Sequence, residues 1–82
     1  MKITVEISMY PVRDEYLPPI KDFIAWLNEC TDVQVTTSAT STCVIGEYAH
    51  VMALLIEGMQ RSYDTFGTSV FVTKFIPGYE AG

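Results

Sequence analysis

Between Lys2 and Tyr10 the chain alternates with period two. Ile3, Val5, Ile7 and Met9 fall on one side and Thr4, Glu6, Ser8 and Tyr10 on the other, which predicts a strand with one buried face. Pro11 withdraws a ladder donor, and the polar Arg13-Asp14-Glu15 stretch makes a connection. Pro18 and Pro19 suit the first turn of a helix, where backbone donors are unpaired in any case. Ile20, Phe23, Ile24 and Leu27 then recur at helical spacing as one apolar stripe, with Thr31-Asp32 as its stop. Val33 to Thr37 alternates again in β-branched residues. Ser38-Ala39-Thr40 reads as a link into a further strand from Ser41 to Ile45, so the two strands form a hairpin. Gly46 is expected to break that strand. From Glu47 onward Tyr48, Val51, Met52, Leu55, Met59, Tyr63 and Phe66 form a longer helical stripe, read as core. Within this helix Gly58 costs about 1 kcal/mol relative to alanine, and Gly67 is placed to end it in the left-handed conformation. Ser69 to Ile76 is the last strand, Pro77-Gly78 closes it, and the residues beyond are expected to be loose.

The resulting order is β-α-β-β-α-β, two strand-helix-strand halves of one kind. Right-handed crossovers interleave such halves into a four-stranded antiparallel sheet of order 4-1-3-2 with both helices on one face, the ferredoxin-like α+β fold, as a single domain over 1–82. The first strand is then central, with Ile3, Val5 and Ile7 on the helices and Thr4, Glu6 and Ser8 on the open face. A carboxylate there is either solvated or held for a purpose, because burying it unpaired is costly. In the last strand Val70 and Val72 oppose Phe71, Thr73 and Phe75, so large apolar groups remain on the open face whichever set turns inward. Phe71 and Phe75 are expected there, against a partner subunit or a guest. An apolar sheet face of this kind marks an interface, and a two-fold sheet-to-sheet dimer is the common way to close one. The facing of the third strand stays open between Thr42/Val44 and Ser41/Cys43 as the inward pair.

Composition changes this picture in two ways. Hydrophobic residues make up 49% of only 82 positions, rich for a domain with little interior, which again favours assembly. The charge balance is 5 basic against 10 acidic residues with no Lys/Arg cluster, which excludes the phosphate-neutralising footprint of a nucleic-acid binder. No apolar run approaches the roughly 20 residues of a membrane span, so membrane insertion is excluded. Cys30 and Cys43 lack CxxC spacing and read as buried small hydrophobes of a reduced, cytoplasmic protein.

Candidate chemistry is sparse. The one histidine, His50, lies on the second helix as a surface residue, which argues against nucleophilic catalysis and against a zinc or calcium site. The chain is therefore read as no enzyme, with no metal and no cofactor. The hydroxyls of Ser38, Thr40, Ser41 and Thr42 offer donors and acceptors without charge, suited to a heteroaromatic ligand or simply to a turn. Glu47 either stabilises the second helix through its dipole or touches a ligand.

The segments Ile3-Thr4-Val5-Glu6-Ile7-Ser8-Met9-Tyr10-Pro11, Tyr16-Leu17-Pro18-Pro19-Ile20, Ser41-Thr42-Cys43-Val44-Ile45-Gly46-Glu47-Tyr48 and Val70-Phe71-Val72-Thr73-Lys74-Phe75, in that order and spacing, resemble the thiamine/hydroxymethylpyrimidine-binding (YkoF-like) family. The resemblance implies a domain that assembles through its sheets as a homodimer or homotetramer. It also implies a ligand, thiamine or its hydroxymethylpyrimidine moiety, bound without catalysis in thiamine supply or salvage. Carried over position by position, it places ligand contacts at Glu6, Ser8, Ser41, Thr42 and Glu47. Phe71 is added as the aromatic that stacks on the ligand ring. A ligand-free oligomerisation or regulatory module of the same fold is the alternative.

Overall fold

The computed structural model describes residues 1–81. Its elements are β1 (Lys2–Pro11), α1 (Leu17–Glu29), β2 (Val33–Thr37), β3 (Thr42–Glu47), α2 (Tyr48–Phe66) and β4 (Ser69–Pro77). They form one antiparallel sheet of order β2-β3-β1-β4, the expected ferredoxin-like order read from its other edge. One face of that sheet carries the core. Ile3, Val5 and Ile7 of β1 and Val44 of β3 are buried with Phe23 and Leu27 of α1 and Val51 and Leu55 of α2. Burying a side chain of this size contributes about 1.5–3 kcal/mol, so this cluster dominates what holds the domain together.

Register decides what the period-two pattern left open. Met9 pairs with Phe71 and Ser8 with Val72, so Phe71, Thr73 and Phe75 turn toward the helices while Val70, Val72, Lys74 and Ile76 stay on the open face. Phe71, expected on the open face, instead packs against Phe23 of α1, with ring centroids 5.3 Å apart and planes tilted by 53°. In β3, Val5 pairs with Val44 and Glu6 with Cys43, which sends Thr42 and Val44 inward and Cys43 and Ile45 outward.

Local expectations are corrected at four points. Gly46 does not break β3. It is a buried strand residue paired with both Ile3 and Val33, and a Cβ there would meet Val51 Cγ2 at 3.0 Å and Val33 Cγ1 at 3.1 Å, so the glycine lets the start of α2 press onto the sheet. On α2 the buried line runs through Val51, Leu55, Gly58 and Ser62, while Met59 and Tyr63 are exposed. At Gly58 no side chain is tolerated, because Trp26 of α1 fills the space above it. Finally, the segment after β4 is tied down. Gly78 donates to the Lys2 carbonyl, Thr4 donates to the Tyr79 carbonyl at 2.8 Å, and the Ala81 amide donates to Thr4 at 3.0 Å. This strap explains why Thr4 and its cross-strand neighbour Ile45 are buried on a face that is otherwise open. Gly67 ends α2 with positive φ as expected, but at φ +86° and ψ −157° rather than in the left-handed helical region. Among the described residues no helix is long and apolar enough to cross a membrane.

Candidate functional site

The stripe of α1 is only half closed. Leu27 and Phe23 are buried in the core, but Ile24 and Ile20, one and two turns before Leu27, are only partly covered. They overhang the end of β1, beyond the point where β3 ceases to pair with it after Ile7 and Thr42. The β2–β3 hairpin bends across this gap. The result is a cleft of about 500 Å³ between α1, the end of β1 and the hairpin, within the size range of small-molecule sites.

Its floor is Ile7 and Met9 from the inward face of β1, and its helix wall is Ile20, Phe23 and Ile24. Thr37, Ser38, Thr40, Ser41 and Thr42 form the hairpin wall. Tyr10 at the end of β1 and Arg13 and Tyr16 on the connection from β1 to α1 complete the lining, at the mouth. That connection is anchored where the Val12 amide donates to the Thr68 carbonyl at 3.1 Å, and Arg13 lies with its guanidinium 5.7 Å from the centroid of the Phe66 ring. Among the described residues, no carboxylate, histidine or cysteine lines the cleft; Arg13 is its one formally charged side chain.

The hydroxyls divide by task. Ser38 accepts from the Thr40 and Ser41 amides and bonds the Ser41 carbonyl, so the turn consumes it and largely consumes Ser41. This is the turn-satisfying role anticipated as the alternative. The hydroxyls of Thr37, Thr40 and Thr42 make no hydrogen bond among the described residues and remain available to a guest.

The residues singled out from sequence scatter over four places. Ser41 and Thr42 line the cleft. Ser8 lies on the open face but donates to the Thr40 carbonyl at 3.0 Å, bracing the hairpin from behind. Glu6 is also on the open face, half exposed and 3.5 Å from Lys74 Nζ, its cross-strand neighbour. That arrangement is a solvated ion pair across the sheet. Glu47 stands at the opposite end of β3, where its carboxylate accepts from the Met1 ammonium at 3.1 Å and is thereby held below the usual carboxylate pKa. It makes no side-chain cap on α2. Phe71 borders a separate apolar crevice of about 60 Å³ with Met52, Met59 and Phe75. The six positions therefore do not converge on one site.

Sequence reasoning missed Met9, Arg13, Tyr16, Ile20 and Ile24. The signal is present in part, since alternation puts Met9 on the inward face and helical spacing puts Ile20 and Ile24 on the apolar stripe, but nothing in the sequence says that these ends of the two elements are left without cover. On the open face Cys43 sits beside Glu6, and burial first and that carboxylate second push its thiol above the usual cysteine pKa. Burial, then Glu57 and Glu29, does the same for Cys30, whose thiol donates to the Trp26 carbonyl. His50 Nε2 is hydrogen-bonded to the Thr31 carbonyl at 2.9 Å. Among the described residues no cluster of His, Cys, Asp and Glu could hold a metal.

No family profile matches the sequence, and no curated protein matches it. Solved structures do share its shape. A protein from Streptococcus pneumoniae superposes with a TM-score of 0.87 at 20% identity, covering 96% of this chain and 89% of that one. A proposed thiamine biosynthesis/salvage protein from Thermotoga maritima gives 0.85 at 18% identity, covering 98% and 85%. A hypothetical protein from Methanocaldococcus jannascii gives 0.80 at 18%, covering 99% and 84%. At these identities the likeness establishes a common fold over nearly the whole chain.

Proposed function

We propose that this domain binds a small planar heteroaromatic compound, without transforming it, in the cleft between α1 and the β2–β3 hairpin. The observation that carries the reading is the cleft itself, apolar on its floor and helix wall and edged by threonine hydroxyls not consumed by the fold. Apolar walls take the ring faces, and hydroxyls satisfy ring nitrogens and an exocyclic amine. Absence of a carboxylate, histidine or cysteine among the described lining leaves no general base of ordinary pKa near neutrality, which supports binding rather than catalysis.

Hydroxymethylpyrimidine is the specific candidate. It is motivated by the segments that resemble the thiamine/hydroxymethylpyrimidine-binding family and by the structural neighbour described as a proposed thiamine biosynthesis/salvage protein. Thiamine is the weaker guest, because Arg13 at the mouth opposes a cationic thiazolium. Calorimetry with both compounds tests the reading. Saturable heat is expected for hydroxymethylpyrimidine, abolished in Ile24→Trp, weakened about fivefold to tenfold in Thr42→Val, and unchanged in Glu6→Gln. No heat at millimolar ligand, or loss in Glu6→Gln with Ile24→Trp unaffected, would refute it.

A second reading, compatible with the first, rests on the open face. Val70, Val72 and Ile76 of β4 and Tyr10 of β1 lie together there and are 40–57% exposed. Pairing of such faces would give a homodimer, or a homotetramer if two dimers combine. Sedimentation of the native chain should then show an oligomer that Val72→Asp converts to a monomer; a monomeric native chain refutes it.

A further inference from the structure

Arg13 is out of keeping with its surroundings. The chain carries a net charge of −5, with 5 basic residues in all, yet a guanidinium is the one formally charged side chain lining the cleft among the described residues. Its carboxylate neighbour, Glu15, is 3.9 Å away and 80% exposed, a contact too long and too solvated to engage the fork of donors. The Phe66 ring beneath the guanidinium and the anchored Val12 backbone hold it in place without occupying those donors. A positioned guanidinium with free donors recognises phosphate and carboxylate oxygens bidentately. The acidic balance of the whole chain repels anions in general, so an anion preference at the cleft calls for a local cation, and Arg13 is the one its lining supplies.

We infer that the cleft selects planar ring compounds carrying one anionic group, a phosphate monoester or a carboxylate, and that Arg13 is the specificity-determining residue that reads the charge. This rests on the cleft being the binding site. The ring would lie between Ile7, Met9 and Ile24, with the threonine hydroxyls at its edge and the anion at the mouth, where it displaces Glu15 from the guanidinium.

The test measures four probes by calorimetry: hydroxymethylpyrimidine, its phosphate monoester, the corresponding ring carboxylate and inorganic phosphate. The phosphate monoester should bind about tenfold to a hundredfold more tightly than the parent alcohol, the range expected of hydrogen bonds to a charged group. The carboxylate probe tells whether either anion suffices or the phosphate is required; a preference for at least one over the alcohol is demanded. In Arg13→Gln the preference should collapse to within about threefold, and Arg13→Lys should retain part of it. Lys74→Gln, which removes a cation from the open face, should change nothing. Inorganic phosphate alone should bind weakly, since it lacks the ring. Equal affinities for alcohol and anions would overturn the inference while leaving the cleft as a binding site. Preference that survives in Arg13→Gln would overturn the role of Arg13. If no probe binds, both the inference and the site fall together.

Discussion

Replacing Gly58 by alanine sets two effects of known size against each other. Alanine is favoured over glycine inside a helix by about 1 kcal/mol, so local propensity alone predicts a more stable protein. The tertiary structure predicts the opposite. A Cβ on Gly58 would lie 2.6 Å from Trp26 Cζ3, 3.0 Å from Phe23 Cε1 and 3.2 Å from Trp26 Cε3. Neither ring yields easily. Phe23 is buried and packed against the tilted ring of Phe71, which blocks movement inward. Trp26 is flanked by Arg61, whose guanidinium lies 6.0 Å from the ring centroid and is tied to Asp22 at 2.7 Å. An added methyl in a packed interface costs about 1–3 kcal/mol, so the expected net loss is about 1 kcal/mol, or roughly 4–8 °C in midpoint for a domain of this size. Trp26 is the only tryptophan of the chain, so its fluorescence reports this contact in the native chain and in Gly58→Ala, while far-UV circular dichroism follows thermal and urea unfolding in every background, including those without it. In a Trp26→Leu background the closest clash is gone, and the same Gly58→Ala change should be near neutral or stabilising. A higher midpoint for Gly58→Ala alone, or an equal loss in both backgrounds, would refute the argument that close approach of α1 and α2 requires this glycine.

Gly67→Ala should cost about 1–3 kcal/mol in urea unfolding, since φ +86° with ψ −157° is a conformation that side chains resist even though nothing stands within 4 Å of the missing Cβ. An unchanged midpoint would mean that the end of α2 reorganises freely. Cys43 should react slowly with iodoacetamide near neutrality, and Glu6→Gln, which removes the second cause of its raised pKa, should speed alkylation without altering Cys30; a rate equal to that of the native chain counts against the coupling. For Glu47, whose folded pKa is depressed chiefly by its hydrogen bond from the Met1 ammonium, the stabilising contribution is present above the unfolded carboxylate value and lost as pH falls through the folded one. Glu47→Gln should therefore lower the urea midpoint at neutral pH and leave it unchanged below the carboxylate range; a difference that persists in acid would assign the effect to something other than charge.

What the sequence by itself determined is the periodicity of each element and hence the element order. The alternation of Ile3, Val5 and Ile7 against Thr4, Glu6 and Ser8 has one apolar and one polar set, so both the strand and its inward face were legible, and the ferredoxin-like topology followed. Phase was not legible where both sets are apolar. In β4 Phe71 and Phe75 compete with Val70, Val72 and Ile76, and only pairing with β1, Met9 against Phe71 and Ser8 against Val72, sends the phenylalanines to the helices. The same holds for Thr42 in β3, turned inward by the pairing of Val5 with Val44. On α2 the stripe through Met59 and Tyr63 satisfied helical spacing, yet Gly58 and Ser62 face inward, and at Gly58 the Trp26 and Phe23 rings leave room for nothing larger. The site was the least legible part. Its two hairpin residues, Ser41 and Thr42, stood out as hydroxyls, but the cleft takes its shape from β1, α1 and a hairpin separated along the chain. Period and propensity are local properties of a few successive residues, whereas strand register, helix approach and the gap left between them are set by contacts between distant segments, which only the folded chain brings together.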